Sequence, residues 1–333
     1  MTDNAKNDLP EGLHDFLAKA GWDNAAIDPI PGDASFRRYF RLAKPDSDKA
    51  MLMHAPPPHE NPEPFLKVAH WLTDHGMRAP EILAEDAAKG WVLLEDFGND
   101  RMRDWLDLNP DSERAAYKAA IDALVELHQR PAGPFDTYDM PTYQREVGLL
   151  TEWYAPAQGL DVDGDGYVSA WEEALAPLIT RQAKPVTVLR DYHAENIMLL
   201  NGSPSATQGL IDFQDALVGH PAYDLVSLLQ DARRDVSLQL EKEMLDRYIQ
   251  SAQPGGDFAA DYARLGAQRN AKIVGIFTRL YKRDGKPRYL SMIPRVWAAM
   301  ERDLAHSALK PVARWFDANI PEELRRSGGG RIV

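Results

Sequence analysis

The chain has 333 residues, a formal net charge of −13 and no cysteine. Its length suits one large domain or two ordinary ones with a substantial core. The lack of cysteine excludes disulfides, thiolate zinc sites and a cysteine nucleophile. The acidic charge argues against a nucleic-acid partner or an anionic membrane, because both attract a basic protein face.

The segments that could direct the chain to a membrane are polar or short. Residues 1–11 are charged and lack the apolar core of a signal peptide. The apolar runs Trp91–Leu94 and Ile273–Phe277 are far too short to span a bilayer. We therefore expect a cytoplasmic protein with no membrane partner, and the sequence leaves its oligomeric state open.

The first hundred residues predict a small sheet with helices. Residues 11–21 place apolar side chains on one helical face, and Gly21 suits a helix C-terminus. The patterns that follow are a strand over 35–42, a strand over Lys49–His54, a helix over Glu63–His75 and a continuous apolar strand over Trp91–Leu94.

The rest of the chain is mainly helical in pattern. Helical spacing runs from Asp111 to Pro131 and again from Pro221 to about Lys310. Strands first and helices later predict an α+β chain of two lobes. We expect a small, mostly antiparallel β N-lobe over residues 1–96 and a larger, mainly helical C-lobe over residues 97–333.

Residues 161–172 match the twelve-residue loop of an EF-hand. The predicted ligands of Ca²⁺ are the carboxylates of Asp161, Asp163, Asp165 and Glu172 and the carbonyl of Tyr167. The pattern predicts a structural Ca²⁺ site in an insertion of the C-lobe. The same residues also suit a helix over Ala170–Gln182 that a capping box of Ser169 and Glu172 would begin.

Residues 186–212 carry a pattern typical of phosphoryl transfer. An apolar strand leads to Asp191, a polar loop places Asn196 five residues later, and a second apolar strand leads to Asp212. The reaction needs a carboxylate that orients and deprotonates the attacking hydroxyl, and oxygen ligands for Mg²⁺. The turn signal 201–202 predicts a hairpin that folds Asp212 back beside Asn196. An ordinary hairpin with Asp and Asn as turn residues is the alternative.

The string Asp96–Gly98 spells Asp-Phe-Gly, the metal motif of kinases, but it lies far upstream of the predicted catalytic loop. Its position directly after an apolar strand suits a hinge instead. There the backbone at Leu94, Glu95 and Asp96 would hydrogen-bond the adenine of ATP. We therefore assign Mg²⁺ to the later residues, Asn196 and Asp212.

Seven strings of the sequence resemble known kinases. The order of Leu93–Gly98, Leu189–Asn196, Ile211–Ala216 and Gly219–Leu225 resembles the aminoglycoside phosphotransferase and choline kinase superfamily. The strings Leu228–Val236, Gln268–Phe277 and Arg283–Tyr289 look like those of the anomeric kinases of N-acetylmuramate and N-acetylglucosamine in peptidoglycan recycling. The resemblance implies a protein-kinase-like fold, ATP with Mg²⁺, and a small amino-sugar substrate.

The resemblance also implies a role for individual residues. Asp191 would be the catalytic base, and Asn196 and Asp212 would hold Mg²⁺. The turn over residues 32–39 would cover the phosphates of ATP, with Gly32, Ser35 and Arg38 as contacts. A plain β-turn is the alternative for this segment, because it contains a single glycine.

Asp224 stands near the start of the helix that begins at Pro221. By resemblance it would be a buried acid that holds the backbone of the catalytic loop. The alternative is a first-turn carboxylate that the helix dipole favours.

Two positions depart from the kinase pattern. Met53 or His54 stands where kinases carry a strand lysine for the α- and β-phosphates. The candidates for a replacement cation are Arg37, Arg38 and Lys67, for each of which surface solvation is the alternative. Leu189 replaces the histidine of the kinase loop, which removes a loop hydrogen bond but no reacting group.

Three further side chains are candidates for the substrate site. His193 would donate to a phosphate or brace the catalytic loop. Arg233 and Arg234 would bind the lactyl carboxylate of a muramic acid, or would be surface residues balanced by Asp231 and Asp235.

The leading hypothesis is an ATP-dependent phosphotransferase that acts on the anomeric hydroxyl of an N-acetylhexosamine. One alternative is an aminoglycoside or choline kinase, whose acidic pocket would attract a cationic substrate. The other is a nucleotide-binding pseudokinase, which the missing strand lysine favours and the intact Asp191, Asn196 and Asp212 oppose.

Overall fold

The structure is a computed structural model that describes residues 9–30, 36–46, 48–180, 184–205 and 207–332. Within these residues, the helices and strands in chain order are α1 (Leu13–Lys19), β1 (Ala26–Ile30), β2 (Arg38–Ala43), β3 (Lys49–His54), α2 (Glu63–Asp74), β4 (Ile82–Asp86), β5 (Trp91–Glu95), α3 (Met102–Leu108), α4 (Glu113–Gln129), α5 (Met140–Leu149), α6 (Ala155–Ala157), α7 (Gly164–Thr180), β6 (Val186–Val188), β7 (Ile197–Leu199), β8 (Gln208–Leu210), β9 (Leu217–Gly219), α8 (Ala222–Leu229), α9 (Leu238–Ala252), α10 (Phe258–Lys282), α11 (Ile293–Leu304), α12 (Lys310–Asn319) and α13 (Glu322–Arg326). A π-helical turn, Leu150–Tyr154, joins α5 to α6.

The chain divides into two compact units, each made of two chain segments. Unit 1 consists of Met1–Trp105 and Asn196–Asp215, and unit 2 consists of Leu106–Glu195 and Ala216–Val333. These units differ in their bounds from the predicted lobes, residues 1–96 and 97–333, and the division into lobes stays a prediction. Among the described residues, the helices are all too short or too polar to cross a bilayer.

Unit 1 contains a five-stranded antiparallel sheet in the order β1-β2-β3-β5-β4. Because side chains alternate along a strand, β3 turns Ala50 and Leu52 to the face that α1 covers and Met51 and Met53 to the other face. The core on the α1 face consists of Leu13, Phe16, Leu17, Trp22, Phe40, Leu42, Ala50, Leu52, Trp91 and Leu93. The predicted first helix is therefore confirmed.

A second, two-stranded sheet of unit 1 is the hairpin of β7 and β8, in which Ile197 pairs with Leu210. Asn201 and Gly202 both take left-handed backbone conformations, with φ of 59° and 62°. Asn and Gly adopt this region more readily than other residues. The predicted turn and hairpin are therefore confirmed, and the long connection to β8 follows them.

Unit 2 is mainly helical, with one short antiparallel pair of strands, β6 and β9. The longest helix of the described part, α10, is buried over most of its length and packs against α5, α8 and α11. Its close approach to α5 depends on Gly275, where an added Cβ would lie 2.3 Å from the backbone carbon of Leu149. The predicted antiparallel sheet followed by helices is confirmed.

Candidate active site

The hairpin of unit 1 brings together two of the predicted catalytic residues. Asn196 directly precedes β7, and Asp212 follows the end of β8 by two residues. The amide nitrogen of Ile211 donates to the carbonyl of Asn196 at 3.1 Å. The side-chain Nδ2 of Asn196 donates to Oδ2 of Asp212 at 3.1 Å. The prediction that the hairpin folds Asp212 beside Asn196 is therefore confirmed.

The pair offers the type of ligand that Mg²⁺ prefers. An amide oxygen and a carboxylate are hard oxygen donors, and Mg²⁺ binds through one or two such groups together with substrate phosphates. Nε2 of Gln214 donates to the second carboxylate oxygen of Asp212 at 2.9 Å. Asn196 and Asp212 thus fit a divalent cation in chemistry and in mutual distance.

Asp191 belongs to unit 2, in the loop that follows β6. The loop backbone is held by Asp224 on α8, which accepts from the amide of Leu189 at 2.7 Å and from the amide of Arg190 at 2.8 Å. Asp224 is fully buried. Arg190 has a φ of 69°, a conformation that costs a non-glycine residue about 1–3 kcal/mol. The predicted role of Asp224 in holding this loop is confirmed.

The carboxylate of Asp191 lies beside a cationic group. Nη2 of Arg269 is 3.5 Å from Oδ1 of Asp191, and the side chain of Arg269 is 4% exposed whereas that of Asp191 is 47% exposed. Burial raises the pKa of Asp191, but the charges of Arg269 and Lys272 outweigh burial and hold this pKa below its ordinary value. Asp191 is therefore an ionised, accessible carboxylate at neutral pH, as a group that orients and deprotonates a hydroxyl must be.

A buried network around Glu146 on α5 supports this loop. Glu146 accepts from Arg190, from Lys272 at 2.9 Å and from Gln268 at 3.1 Å, and it also accepts from Tyr138. Burial raises the pKa of Glu146, and the charges of Lys272 and Arg190 lower it to below its ordinary value. A buried carboxylate with several donors stays ionised, so Glu146 fixes Arg190 beside Asp191.

Sequence reasoning missed Glu146, Arg269 and Lys272. Arg269 and Lys272 lie three residues apart on α10 and so share a helical face. Both are in the string Gln268–Phe277, which carries part of the resemblance, but neither forms a motif with Asp191. Only the packing of α5 and α10 around the loop joins these residues.

Of the three predicted substrate residues, two form ion pairs with acidic side chains and the third, His193, is buried. His193 is 3% exposed, and burial, followed by the charge of Arg233, lowers its pKa to about 3. Its imidazole is therefore neutral. Nε of Arg233 lies 3.0 Å from Glu195. Arg234 donates to Asp107 at 2.6 Å and to Glu113 at 2.9 Å. The alternative prediction paired Arg234 with Asp231 or Asp235, whereas its partners in the structure are Asp107 and Glu113.

The three residues predicted to contact the phosphates of ATP are Gly32, Ser35 and Arg38. Gly32 and Ser35 lie outside the described residues. The guanidinium of Arg38 lies 5.1 Å from the centre of the Phe40 ring, on the sheet face that α1 covers.

At the predicted hinge, Leu94 is buried and pairs within the sheet. The amide of Glu95 donates to the carbonyl of Glu81 at 2.9 Å, and its carboxylate accepts from Arg78. Asp96 accepts from Arg41 at 3.1 Å. The amide of Glu95 therefore already has an acceptor, the carbonyl of Glu81. The backbone carbonyl groups of Leu94 and Glu95 and the backbone of Asp96 stay predicted contacts of adenine.

The predicted calcium loop requires a correction. Helix α7 begins at Gly164, so Asp165, Tyr167 and Glu172 are helical residues. Asp163 closes the first turn: its Oδ1 accepts from the amide of Gly166 at 2.9 Å, and its carbonyl accepts from the amide of Tyr167 at 3.0 Å. The carbonyl of Tyr167 now belongs to a helix and does not face a loop cation.

Two contacts with α12 fix this helix start. Nε1 of Trp315 donates to the carbonyl of Asp163 at 2.7 Å, and the amide of Asp163 donates to Asn319 at 2.8 Å. In the part of the chain that the structure describes, no three His, Asp or Glu side chains are grouped to hold a metal ion, so Asp161 and its neighbours form no such group. The alternative helix, predicted over Ala170–Gln182, is present as α7, but it begins earlier than predicted, at Gly164.

Known proteins resemble this chain in sequence and in fold. A family model described as "Phosphotransferase enzyme family" matches residues 26–267. The chain belongs to this phosphotransferase family. The phosphotransferase is 35% identical to an N-acetylmuramate/N-acetylglucosamine kinase of Caulobacter vibrioides, over 93% of this chain and 96% of that one. It is 36% identical to the enzyme of the same name from Pseudomonas aeruginosa, over 89% and 90% of the two chains.

Solved structures show the same fold. The ADP-bound aminoglycoside phosphotransferase APH(2'')-Ib superposes with a TM-score of 0.59 at 15% identity, over 88% of this chain and 97% of that one. The predicted protein-kinase-like fold and the resemblance to this superfamily are confirmed. This phosphotransferase is an ATP-dependent kinase.

Proposed function

We propose that this kinase transfers the γ-phosphoryl group of ATP to the anomeric hydroxyl of N-acetylmuramate or N-acetylglucosamine, in the recycling of peptidoglycan sugars. The observation that carries the proposal is the match to enzymes named for these two sugars, at 35% and 36% identity over 93% and 89% of the chain. The ionised Asp191 beside Arg269 and the adjacent Asn196 and Asp212 support it.

Each of these residues has a defined task in the proposed reaction. Asp191 orients the sugar hydroxyl and accepts its proton as the oxygen attacks the phosphorus atom. Asn196 and Asp212 hold Mg²⁺, which neutralises charge on the phosphate oxygens. Asp224 keeps the backbone before Asp191 in its left-handed conformation, so the base keeps one orientation.

Further residues are assigned to the two substrates. Gly32 and Ser35 cover the phosphates of ATP, and the backbone from Leu94 to Asp96 contacts its adenine. His193 is a neutral imidazole near Asp191 and braces the loop on the sugar side. Of the two predicted arginines, Arg233 is the one we retain for the substrate carboxylate, because both terminal nitrogens of Arg234 already donate to Asp107 and Glu113.

The test is the release of ADP from ATP and Mg²⁺ with either sugar, compared with an aminoglycoside and with choline. We expect sugar-dependent ADP. In Asp191→Asn we expect the rate to fall about 10²- to 10⁴-fold, as the loss of a positioned base does. The matched control is Asp111→Asn, which removes an exposed carboxylate just before α4. This variant should keep the parent rate.

The position of the phosphate is tested by a reducing-sugar assay. Phosphorylation at the anomeric oxygen removes the free reducing end, so ADP release and loss of reducing sugar should be equal in amount. ADP release with the reducing end intact would place the phosphate on another hydroxyl. ADP formed only with an aminoglycoside or choline would contradict the sugar assignment, and no turnover with intact ATP binding would indicate a pseudokinase.

A further inference from the structure

In β3, the position where kinases carry the phosphate lysine is taken by Met53 or His54. Met53 is fully buried, and the hydroxyl of Tyr39 lies 3.5 Å from its sulfur atom. His54 turns to the other face of β3 and stacks on Trp91, with ring centres 3.9 Å apart. Neither residue can supply the positive charge that kinases place between the α- and β-phosphates.

Arg37, which precedes β2, combines the features of a replacement. Its Nε lies 3.3 Å from Oε2 of Glu60, and the two side chains are only 15% and 19% exposed. Glu60 lies shortly before α2. In kinases, a glutamate of the helix that follows the strand pairs with the strand lysine. Arg37 and Glu60 form a similar pair of cation and acid, but the cation precedes β2 and the acid precedes α2.

Tyr39 links this pair to β3 within unit 1. Its hydroxyl donates to the sulfur of Met53 and accepts from the guanidinium of Arg37. The ring of Phe213, next to Asp212, stacks on Phe65 of α2 with centres 5.1 Å apart, so Asp212 lies close to the helix that follows Glu60.

The other cations of this sheet have different partners. Arg38 lies over the Phe40 ring on the α1 face. Arg41 pairs with Asp96 at 2.7 Å, and Arg78 pairs with Glu95 and lies over the Phe97 ring. Lys67 of α2 and Lys49, the first residue of β3, are exposed.

We propose that Arg37, held in place by Glu60, binds the phosphate groups of ATP in the position that the strand lysine occupies in other kinases. The proposal rests on the kinase function proposed above. A guanidinium offers a planar fork that binds two phosphate oxygens at once, whereas an ammonium group acts as a single charged point. Arg37→Lys is therefore not a conservative substitution at this site.

The test is calorimetric binding of ATP with Mg²⁺, ADP with Mg²⁺ and adenosine to the full chain. Arg37→Gln should weaken ATP and ADP binding about ten- to a hundred-fold, as the loss of a charge-assisted hydrogen bond does, and leave adenosine binding unchanged. Glu60→Gln should weaken the same two ligands less, and Arg37→Lys should restore them only in part. Lys44→Gln, at a cation that lies over the Trp22 ring on the α1 side, should bind all three ligands as the parent does.

Three outcomes in the variants would overturn the assignment. The first is unchanged ATP affinity in Arg37→Gln. The second is an equal loss for adenosine, which would indicate a general collapse of the site. The third is a larger loss in Arg38→Gln than in Arg37→Gln. Parent protein that binds ATP but leaves both sugars unphosphorylated would refute the proposed substrate and keep the role of Arg37, whereas parent protein that binds no ATP would refute both.

Discussion

Two residues of the candidate active site have strained backbones. Arg190 and Asp212 have φ of 69° and 59°, values that cost residues other than glycine about 1–3 kcal/mol each. Asp224 holds the first through two backbone amides, and the second accepts from Asn196 and Gln214. Such strain persists only where neighbouring contacts compensate for it, which is common where a side chain must keep one direction.

The state of charge of Asp191 depends on Arg269. Because this arginine and Lys272 lower the pKa of Asp191 against the effect of burial, Arg269→Gln should raise it. The acid limb of the kcat/KM profile, which reports groups of the free enzyme, should then move to higher pH by about one unit, the lower end of what a close opposite charge produces.

Arg264→Gln is the matched control for this prediction. It removes a buried arginine of the same helix that pairs with Asp261 at 2.7 Å, so it should lower stability without moving the acid limb. An acid limb that stays in place in Arg269→Gln, with the fold intact, would show that Arg269 does not set the charge of Asp191.

At the scale of elements, the sequence predicted those helices and strands whose formation depends mainly on local residues. α1, β3, α2 and β5 begin and end within a few residues of their predicted bounds. The hairpin of β7 and β8 followed from its Asn-Gly turn. These elements have one apolar face or a strong turn signal, and few alternatives compete with them.

The start of α7 shows why a local pattern can mislead. Asp residues at alternate positions with glycines suit a calcium loop, but the same residue types also begin helices. The contacts of Asp163 with Trp315 and Asn319 on α12 favour the helix. These partners lie more than a hundred residues away in sequence, so the local pattern contains no information about them.

The cap of α7 gives a test of this conclusion. Asp163→Ala should lower the free energy of unfolding by about 1 kcal/mol, because it removes the acceptor of the Gly166 amide. Asp161→Ala, two residues earlier and exposed, should change stability by less than about 0.5 kcal/mol. Urea unfolding measures both. Stabilisation of the parent by Ca²⁺ that disappears in both variants would contradict the helix cap and favour the original loop.

At the scale of the whole molecule, buried histidines link stability to pH. His128 is 7% exposed, its Nδ1 lies 2.7 Å from the hydroxyl of Tyr248, and burial, with a smaller contribution from His220, lowers its pKa to about 3. The unfolded chain takes up a proton near pH 6.5 and the folded chain does not. Stability from this residue is therefore present above pH 6.5 and decreases as the pH falls toward 3.

His128→Gln should make this decrease less steep. Between about pH 6.5 and pH 5, the free energy of unfolding of the parent should fall faster than that of the variant, by up to about 1.4 kcal/mol per pH unit. Asp224, whose pKa burial raises to about 7, acts in the opposite direction, but it is present in both proteins and cancels in the difference. The control is His14→Gln, which replaces an exposed histidine. Equal slopes of the free energy of unfolding against pH in the parent and in His128→Gln would refute the prediction.

The candidate site marks the limit of what the sequence can predict. Asp191, Asn196 and Asp212 could be predicted because the spacing of a catalytic loop is local in sequence. Glu146 and Arg269 were not found, because each lies on a different helix and contributes through packing. The sequence left three candidates for the cation that binds the phosphates, and our proposal of Arg37 rests on its contact with Glu60, which the sequence does not show.

The chain path through the two units has a practical consequence. Residues 196–215 belong to unit 1, although the segments on both sides of them belong to unit 2. A fragment that stops at Trp105 therefore lacks Asp212 and also Phe213, the stacking partner of Phe65. Neither unit can be produced as one uninterrupted piece of polypeptide, so gene truncation will not separate them and joined fragments would be required.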